Sequence, residues 1–189
     1  WLKSQTAPPF LPAAVMASTG NVGAPKDGSI RGLEIPPMDG KSLRIGLVAA
    51  RWNPSVCDAL LDGCKASLKA CGLSDADIIV ERVAGCYEVP FGCQTLLASG
   101  TVDGVIGMGC LIKGETMHFE YICEAVTQGM MRLNLDFQKP VVYGILTVLT
   151  EQQALARAGL TADGHNHGKD WGMTVVESCL LKKKYPAAR

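Results

Sequence analysis

Lys113, Gly114, Glu115, Thr116 and His118 stand within six consecutive positions, between an apolar run and a long helix-like stretch. Such a set can grip an anion and move a proton. A helix start offers free backbone N–H groups to a phosphate, Gly114 permits unusual backbone dihedrals, and a histidine exchanges protons near physiological pH. A plain turn and a structural histidine would use the same residue types. The two readings separate only when other groups are delivered to the same place, which depends on the elements around them.

Those elements repeat. "SLRIGLVAA" is a short, nearly continuous apolar run, the mark of a strand covered on both faces. Asn53 and Pro54 then read as N-cap and first helical residue, and Gly72 as the left-handed stop of that helix. "DIIVERV", "VDGVIGMGCLI" and "KPVVYGILTVL" read as three further strands. Between them lie a helix in "VPFGCQTLLASG", ended by Gly100, and one from His118 to about Gln138. Thr150 and Gln153 carry capping-box spacing ahead of "ALARAG", and "HGKDWGMTVVESCLLKKKY" is a last helix. Its Lys182–Lys184 end suits the negative pole of the helix dipole and reads as a solvated terminus. This alternation predicts an α/β fold: a three-layer αβα sandwich with a flavodoxin-like, parallel four-stranded sheet and helices on both faces.

Right-handed crossovers bring all the strand C-termini to one rim, where ligands bind in such sheets. The rim then receives Arg51, Trp52 and Asn53 from the first strand, and Gly85, Cys86, Tyr87, Glu88, Val89 and Pro90 from the second. Cys110 to His118 come from the third, and Thr147 to Thr150 from the fourth. Trp52 either packs at a helix start or offers a flat face to a planar ring. Glu88, just ahead of the Val89-Pro90 pair, is expected in extended backbone with its carboxylate outward, as a surface acid or a functional one. Together these groups favour a site over a set of unrelated turns. His165 and His167, two apart, read as a polar connection or an anion contact rather than a metal site.

Composition narrows the partners. Among 189 residues, 18 basic side chains balance 18 acidic ones, so neither nucleic acid nor an anionic membrane is the expected partner. Small molecules or another protein chain are. The eight cysteines form no CxxC and no zinc-finger spacing, and Cys57, Cys64 and Cys71 recur at a helical interval. They read as buried free thiols of a cytoplasmic protein. No apolar run is long enough to cross a membrane as a helix. Residues 1–40 are rich in Pro, Gly, Ser and Ala, lack the basic start and long apolar core of a secretory signal, and read as a flexible arm. Residues 41–189 then form the single folded domain.

At "RWN", "AGCYEVP", "GCLIKGETMHFEYI", "YGILTVLTEQQALARAG" and "NHG", in that order, the chain closely resembles the lumazine synthase family. The resemblance runs from about residue 43 to 185. It implies a transferase that condenses 5-amino-6-ribitylamino-uracil with 3,4-dihydroxy-2-butanone 4-phosphate. The products are 6,7-dimethyl-8-ribityllumazine, inorganic phosphate and water, in the penultimate step of riboflavin biosynthesis. It implies neither a metal nor an organic cofactor. By the same resemblance Trp52 stacks on the pyrimidine beside Asn53, and Tyr87, Glu88 and Val89 line the ribityl and ring pocket. Cys110, Leu111 and Ile112 read the heterocycle edge. Glu115 and Thr116 hold the phosphate, and His118 transfers protons. Tyr143 and Arg157 come from an adjacent subunit, Arg157 gripping the phosphate. His167 stands where many members have lysine.

The resemblance also implies a homopentamer with its sites between subunits. The step from Arg157 to His167 is longer than in shell-forming members and is of the fungal type. A carrier of flavin or lumazine without turnover is the first rival reading, and the intact His118 and Arg157 count against it. A thiol-based redox or assembly protein is the second, and the missing CxxC counts against that.

Overall fold

The computed structural model describes residues 38–186; the arm read over 1–40 lies, but for its last three residues, outside them. β1 (Ile45–Ala50) is buried at every position, and β3 (Gly104–Ile112) over all but its last two. Both are the continuous apolar runs that a doubly covered parallel strand requires. They form the central pair of a wholly parallel sheet of order β2-β1-β3-β4, with β2 (Ile78–Val83) and β4 (Val141–Val148) at the edges. Ile45 stands opposite Ile78 on one side and Gly104 on the other. Edge position explains the half-buried side chains of β2 and its charged pair Glu81-Arg82.

Side chains alternate across the sheet, as the strand period demands. Ile106 and Met108 pack with α1 (Pro54–Ala70) and α5 (His167–Lys184) on one face. On the other, Val105 packs with α2 (Val89–Ala98) and α3 (His118–Asp136). Gly107 lets those two helices approach: a methyl there would stand 2.5 Å from both Met130 Cε and Val89 Cγ1. The result is the expected three-layer α/β sandwich. Each fully buried Leu, Ile or Val of its core contributes about 1.5–3 kcal/mol. The exposed rim side chains, among them Trp52, Tyr87 and His118, carry little of that stability, so they can be chosen for chemistry.

Most ends follow the sequence. Gly72 and Gly100 take positive φ (92° and 73°) after α1 and α2. Thr150 Oγ1 accepts from Gln153 N–H at 3.3 Å ahead of α4 (Glu151–Arg157). Gln153 Oε1 reaches one residue further back than the capping box predicts, to Leu149 N–H at 2.9 Å. The cysteines are free thiols, and only Cys123 is less than buried. At the far end of α5, Lys183 Nζ donates to Ser42 O at 3.2 Å, tying an otherwise exposed terminus to the chain ahead of β1. From β1 the chain crosses to β2 on one side and later to β3 on the other. The switch point of the sheet therefore lies between the carboxyl ends of β1 and β3.

Candidate active site

A crevice of about 900 Å³ opens at that switch point, a size suited to a drug-sized molecule. Trp52 and Asn53 line it from the end of β1, Tyr87 and Glu88 from the end of β2, and Cys110, Leu111, Ile112, Thr116 and His118 from the end of β3. Asn53 pins the crevice closed at its base. Its side chain does not cap α1, contrary to expectation. Instead Asn53 takes a left-handed backbone (φ 56°, ψ 59°), and its Nδ2 donates to Cys110 O at 3.0 Å. Asparagine tolerates that conformation better than most residues, and the strain of holding it is offset by a bond that joins β1 to β3.

Trp52 is held by its backbone while its side chain is free. Its carbonyl accepts from Cys57 Sγ at 3.1 Å, yet the residue is 71% exposed beside the crevice. An indole used for packing would be covered, so the exposed face fits a platform for a planar ring. Glu88 also departs from expectation. It lies in a 3₁₀ turn, Cys86–Glu88, with φ −85° and ψ −10° rather than extended. Its Oε2 accepts from Gly85 N–H at 3.0 Å and closes the turn, while the extended bias ahead of a proline falls on Val89, directly before Pro90, and not on Glu88. Val89 is buried, its side chain against the Gly107 backbone beneath the crevice rather than on its wall.

His118 is the first residue of α3 and is exposed on the crevice lip. Its N–H reaches Thr116 Oγ1 at 3.4 Å, a long contact at the N-terminal turn. Gly114 does not adopt positive φ, so the unusual backbone that a glycine permits is not used there. A Cβ at Gly114 would meet nothing within 4 Å, and the glycine leaves open space at the crevice wall instead. Glu115 is exposed and lies beside, not in, the crevice lining. Lys113 pairs with Glu120 and lies over the Phe119 ring, 5.7 Å from its centroid, so it is engaged along α3. Phe119, Tyr121, Ile122 and Ala125 complete the wall from α3. Tyr121, Ile122 and Ala125 stand three, four and seven residues after His118, on its face of the helix, a signal that could have named them in the sequence, while Phe119 lies outside that period.

The end of β4 does not reach the crevice: Thr147–Thr150 lead into α4, and Lys113 N–H donates to Val148 O at 2.9 Å, zipping the two strand ends together. Tyr143, Arg157 and His167 also lie outside it. Tyr143 is half-buried in a second hollow that includes Trp171, and its hydroxyl accepts from Thr127 Oγ1 at 3.0 Å. Burial pushes its phenol pKa up. Arg157 is exposed at the end of α4, donating through Nη1 to Gln153 O at 3.3 Å. His167 opens α5, its ring centroid 6.4 Å from that of Trp171. Burial lowers the His167 pKa, Asp170 opposes this, and the charges of His165 and Arg157 add to it. Asp170 Oδ2 lies 2.6 Å from His165 Nε2 and 3.8 Å from His167 Nδ1. Among the described residues no group of three or more His, Cys, Asp or Glu is placed to hold a metal ion.

The crevice thus offers an exposed indole, an acid, strand-end carbonyls and a histidine at a helix start. Outside it lie the Tyr143 ring, in a separate hollow, and the Arg157 and His167 side chains at two helix ends. The crevice can bind and protonate a planar heterocycle, and the two basic side chains can neutralise an anion.

Comparison with known proteins gives the arrangement a context. The family model described as 6,7-dimethyl-8-ribityllumazine synthase matches residues 42–183. A 6,7-dimethyl-8-ribityllumazine synthase of Schizosaccharomyces pombe is 48% identical over 152 residues, covering 80% of this chain and 95% of that protein. One from Pyricularia oryzae is 40% identical over 187 residues, covering 80% of this chain and 94% of that protein. A bacterial one, from Mycolicibacterium vanbaalenii, is 42% identical over 151 residues, covering 80% and 94%.

Proposed function

We propose that this chain, which belongs to the 6,7-dimethyl-8-ribityllumazine synthase family, runs its reaction in the Trp52–His118 crevice with a neighbouring copy of itself completing the site. The chain is a transferase of riboflavin biosynthesis. It condenses 5-amino-6-ribitylamino-uracil with 3,4-dihydroxy-2-butanone 4-phosphate to 6,7-dimethyl-8-ribityllumazine, phosphate and water. The observation that carries the site assignment is the switch-point crevice itself, with Trp52 exposed on one wall and His118 on the lip.

The pyrimidine stacks on Trp52. Asn53, the Cys110–Ile112 strand end and the Tyr87–Val89 turn hold its edge and ribityl chain, with Val89 supporting the wall from beneath. The butanone phosphate rests at the α3 start near Glu115 and Thr116, where first-turn N–H groups face outward. The substrate amine attacks the ketone and a first water leaves to give the imine. Phosphate is eliminated, and the ribityl-bearing nitrogen then attacks the carbonyl so formed and closes the ring with loss of a second water. Every step moves a proton, and His118 donates and accepts in turn. Holding both substrates in one crevice supplies the proximity that a bimolecular condensation otherwise lacks.

Arg157 and His167 grip the departing phosphate, and Tyr143 packs beside the heterocycle, all three from the adjacent subunit. Their place outside the crevice of their own chain supports this. So do large apolar side chains left uncovered, Phe91 at 72% and Leu135 at 69% exposed. The assembly is a homopentamer, residues 41–189 are its catalytic domain, and the enzyme works in the cytoplasm. Free, buried thiols suit that compartment. Among the described residues no helix is long and apolar enough to cross a membrane.

Co-expressing His118→Ala and Arg157→Ala chains tests the shared site. Each homo-oligomer should be impaired, while mixed rings regain turnover, because some interfaces pair an intact His118 with an intact Arg157. Mixed rings no more active than the two parents averaged would place both residues in the same subunit's site and refute the arrangement.

A further inference from the structure

Between α4 and α5 the chain doubles back and closes through an antiparallel bridge between Ala158 and Asn166. In that register Arg157 and His167 lie opposite each other, just outside the bridge. What fixes the bridge is the Asn166 carboxamide. Its Nδ2 donates to Ala59 O of α1 at 2.8 Å, across 107 positions of chain, and its Oδ1 accepts from Gly168 N–H at 2.9 Å. The amide fills the slot left by Gly63: a methyl there would stand 2.3 Å from Oδ1 and 2.9 Å from Nδ2. Gly168 is seated as tightly, since a methyl on it would lie 2.1 Å from Leu60 O. The start of α5 is therefore latched to the α1 backbone at a single register. One end of the carboxamide serves each helix.

We propose that Asn166 is a positioning residue for the phosphate-bearing substrate: its latch to Ala59 and Gly168 holds Arg157 and His167 together as one anion-binding pair. The inference rests on the reading that Arg157 and His167 grip the phosphate. Asn166 need not touch the substrate. A guanidinium and an imidazole on two helix ends bind one anion well only if their separation is set beforehand, and freeing the α5 start lets them drift apart.

The discriminating variant is Asn166→Ser. A serine still caps α5 through its hydroxyl but cannot reach Ala59. Gly63→Ala supports it by crowding the amide without removing it. Both are assayed as assembled protein, with the Michaelis constant measured separately for each substrate. Inorganic phosphate serves as a competitive probe against the butanone phosphate. Asn166→Ser should raise the Michaelis constant for the butanone phosphate and the inhibition constant for phosphate about tenfold, the scale of one to two lost hydrogen bonds. The pyrimidine constant should stay within about twofold, a split that a general loss of structure would not give. Arg157→Ala is the reference. If it raises the phosphate constants while Asn166→Ser leaves them unchanged, or moves both substrates equally, the positioning role is overturned. If Arg157→Ala itself leaves them unchanged, the phosphate reading fails and the positioning role falls with it. Should Asn166→Ser not assemble, Gly63→Ala decides by the same split.

Discussion

Replacing Trp52 with alanine separates a binding platform from a packing residue. The indole is 71% exposed, and its backbone is held independently through its carbonyl and Cys57. Its removal should therefore leave stability within about 0.5 kcal/mol, as for other surface changes. Stacking of a heterocycle on an aromatic side chain is worth about 1–3 kcal/mol by alanine substitution. At about 1.4 kcal/mol per tenfold, the Michaelis constant for the pyrimidine should rise roughly 5- to 150-fold. The constant for the butanone phosphate, whose proposed place is the α3 start, should hardly change. Stacking is kept from ground state to transition state, so turnover at saturating pyrimidine should stay near wild type. Trp52→Phe, with a smaller π-face, should fall between. The assay follows lumazine absorbance against pyrimidine concentration at saturating butanone phosphate, subtracting an enzyme-free control. An unchanged pyrimidine constant together with a lowered melting temperature would make Trp52 a packing residue and refute the platform.

His118→Ala should slow turnover by about 10²–10⁴ at saturating substrates, the usual worth of a positioned acid–base group. Its exposed position predicts an unchanged melting temperature, and a wild-type rate would remove the proton role. His167, its pKa held below about 6.5 by burial, should be largely neutral at pH 7.5 and gain charge on acidification. The Michaelis constant for the butanone phosphate should then fall between pH 7.5 and 6 more in wild type than in His167→Lys, whose ammonium is charged throughout; parallel profiles would exclude His167 from the grip. For stability the sign is opposite. The folded chain disfavours the charged ring, so full stability is kept above about 6.5 and drains as pH falls from there through the folded value. Burial pushes the Cys57 thiol up to about 11 and those of Cys86, Cys93, Cys110 and Cys179 up to about 12. A thiol reagent at pH 8 should label the least enclosed residue, Cys123, first, and reach all eight cysteines only after denaturation. Fast reaction of all eight in native protein would contradict the packing.

The scaffold was legible because its signals are repeated. Each strand is built on a short apolar run, helices follow in regular alternation, and Gly72 and Gly100 mark helix ends at positive φ. Single residues with two possible partners were read less well. Asn53 sits where a cap belongs, but a carbonyl 57 positions away competes for its amide and wins. Glu88 stands two residues before Pro90, beyond the reach of the pre-proline bias, and a bond to Gly85 N–H three residues back folds it into a turn. Lys113 looks free for an anion and is instead paired with Glu120, in the first turn of α3. In each case a local rule met a partner whose distance in sequence or geometry the rule does not contain.

The same limit explains why the proposed phosphate-binding group had to come from resemblance. Nothing in the spacing of Arg157 and His167 says that they lie apart from His118, or that Asn166 between them is tied to α1. The glycines carry that information in a weak form. Gly63 on α1 and Gly168 and Gly172 on α5 are spaced for a close helix crossing, and Gly172 would place a methyl 2.0 Å from Ser67 Oγ. Small residues on two helices far apart in sequence mean that the helices touch backbone to backbone. Whatever side chains begin the second helix are then fixed against the first. Here the side chain that begins it is His167. If Arg157 and His167 hold the phosphate as proposed, the crossing that packs α1 against α5 also sets that pair, and substitutions along it should alter phosphate affinity before they unfold the chain.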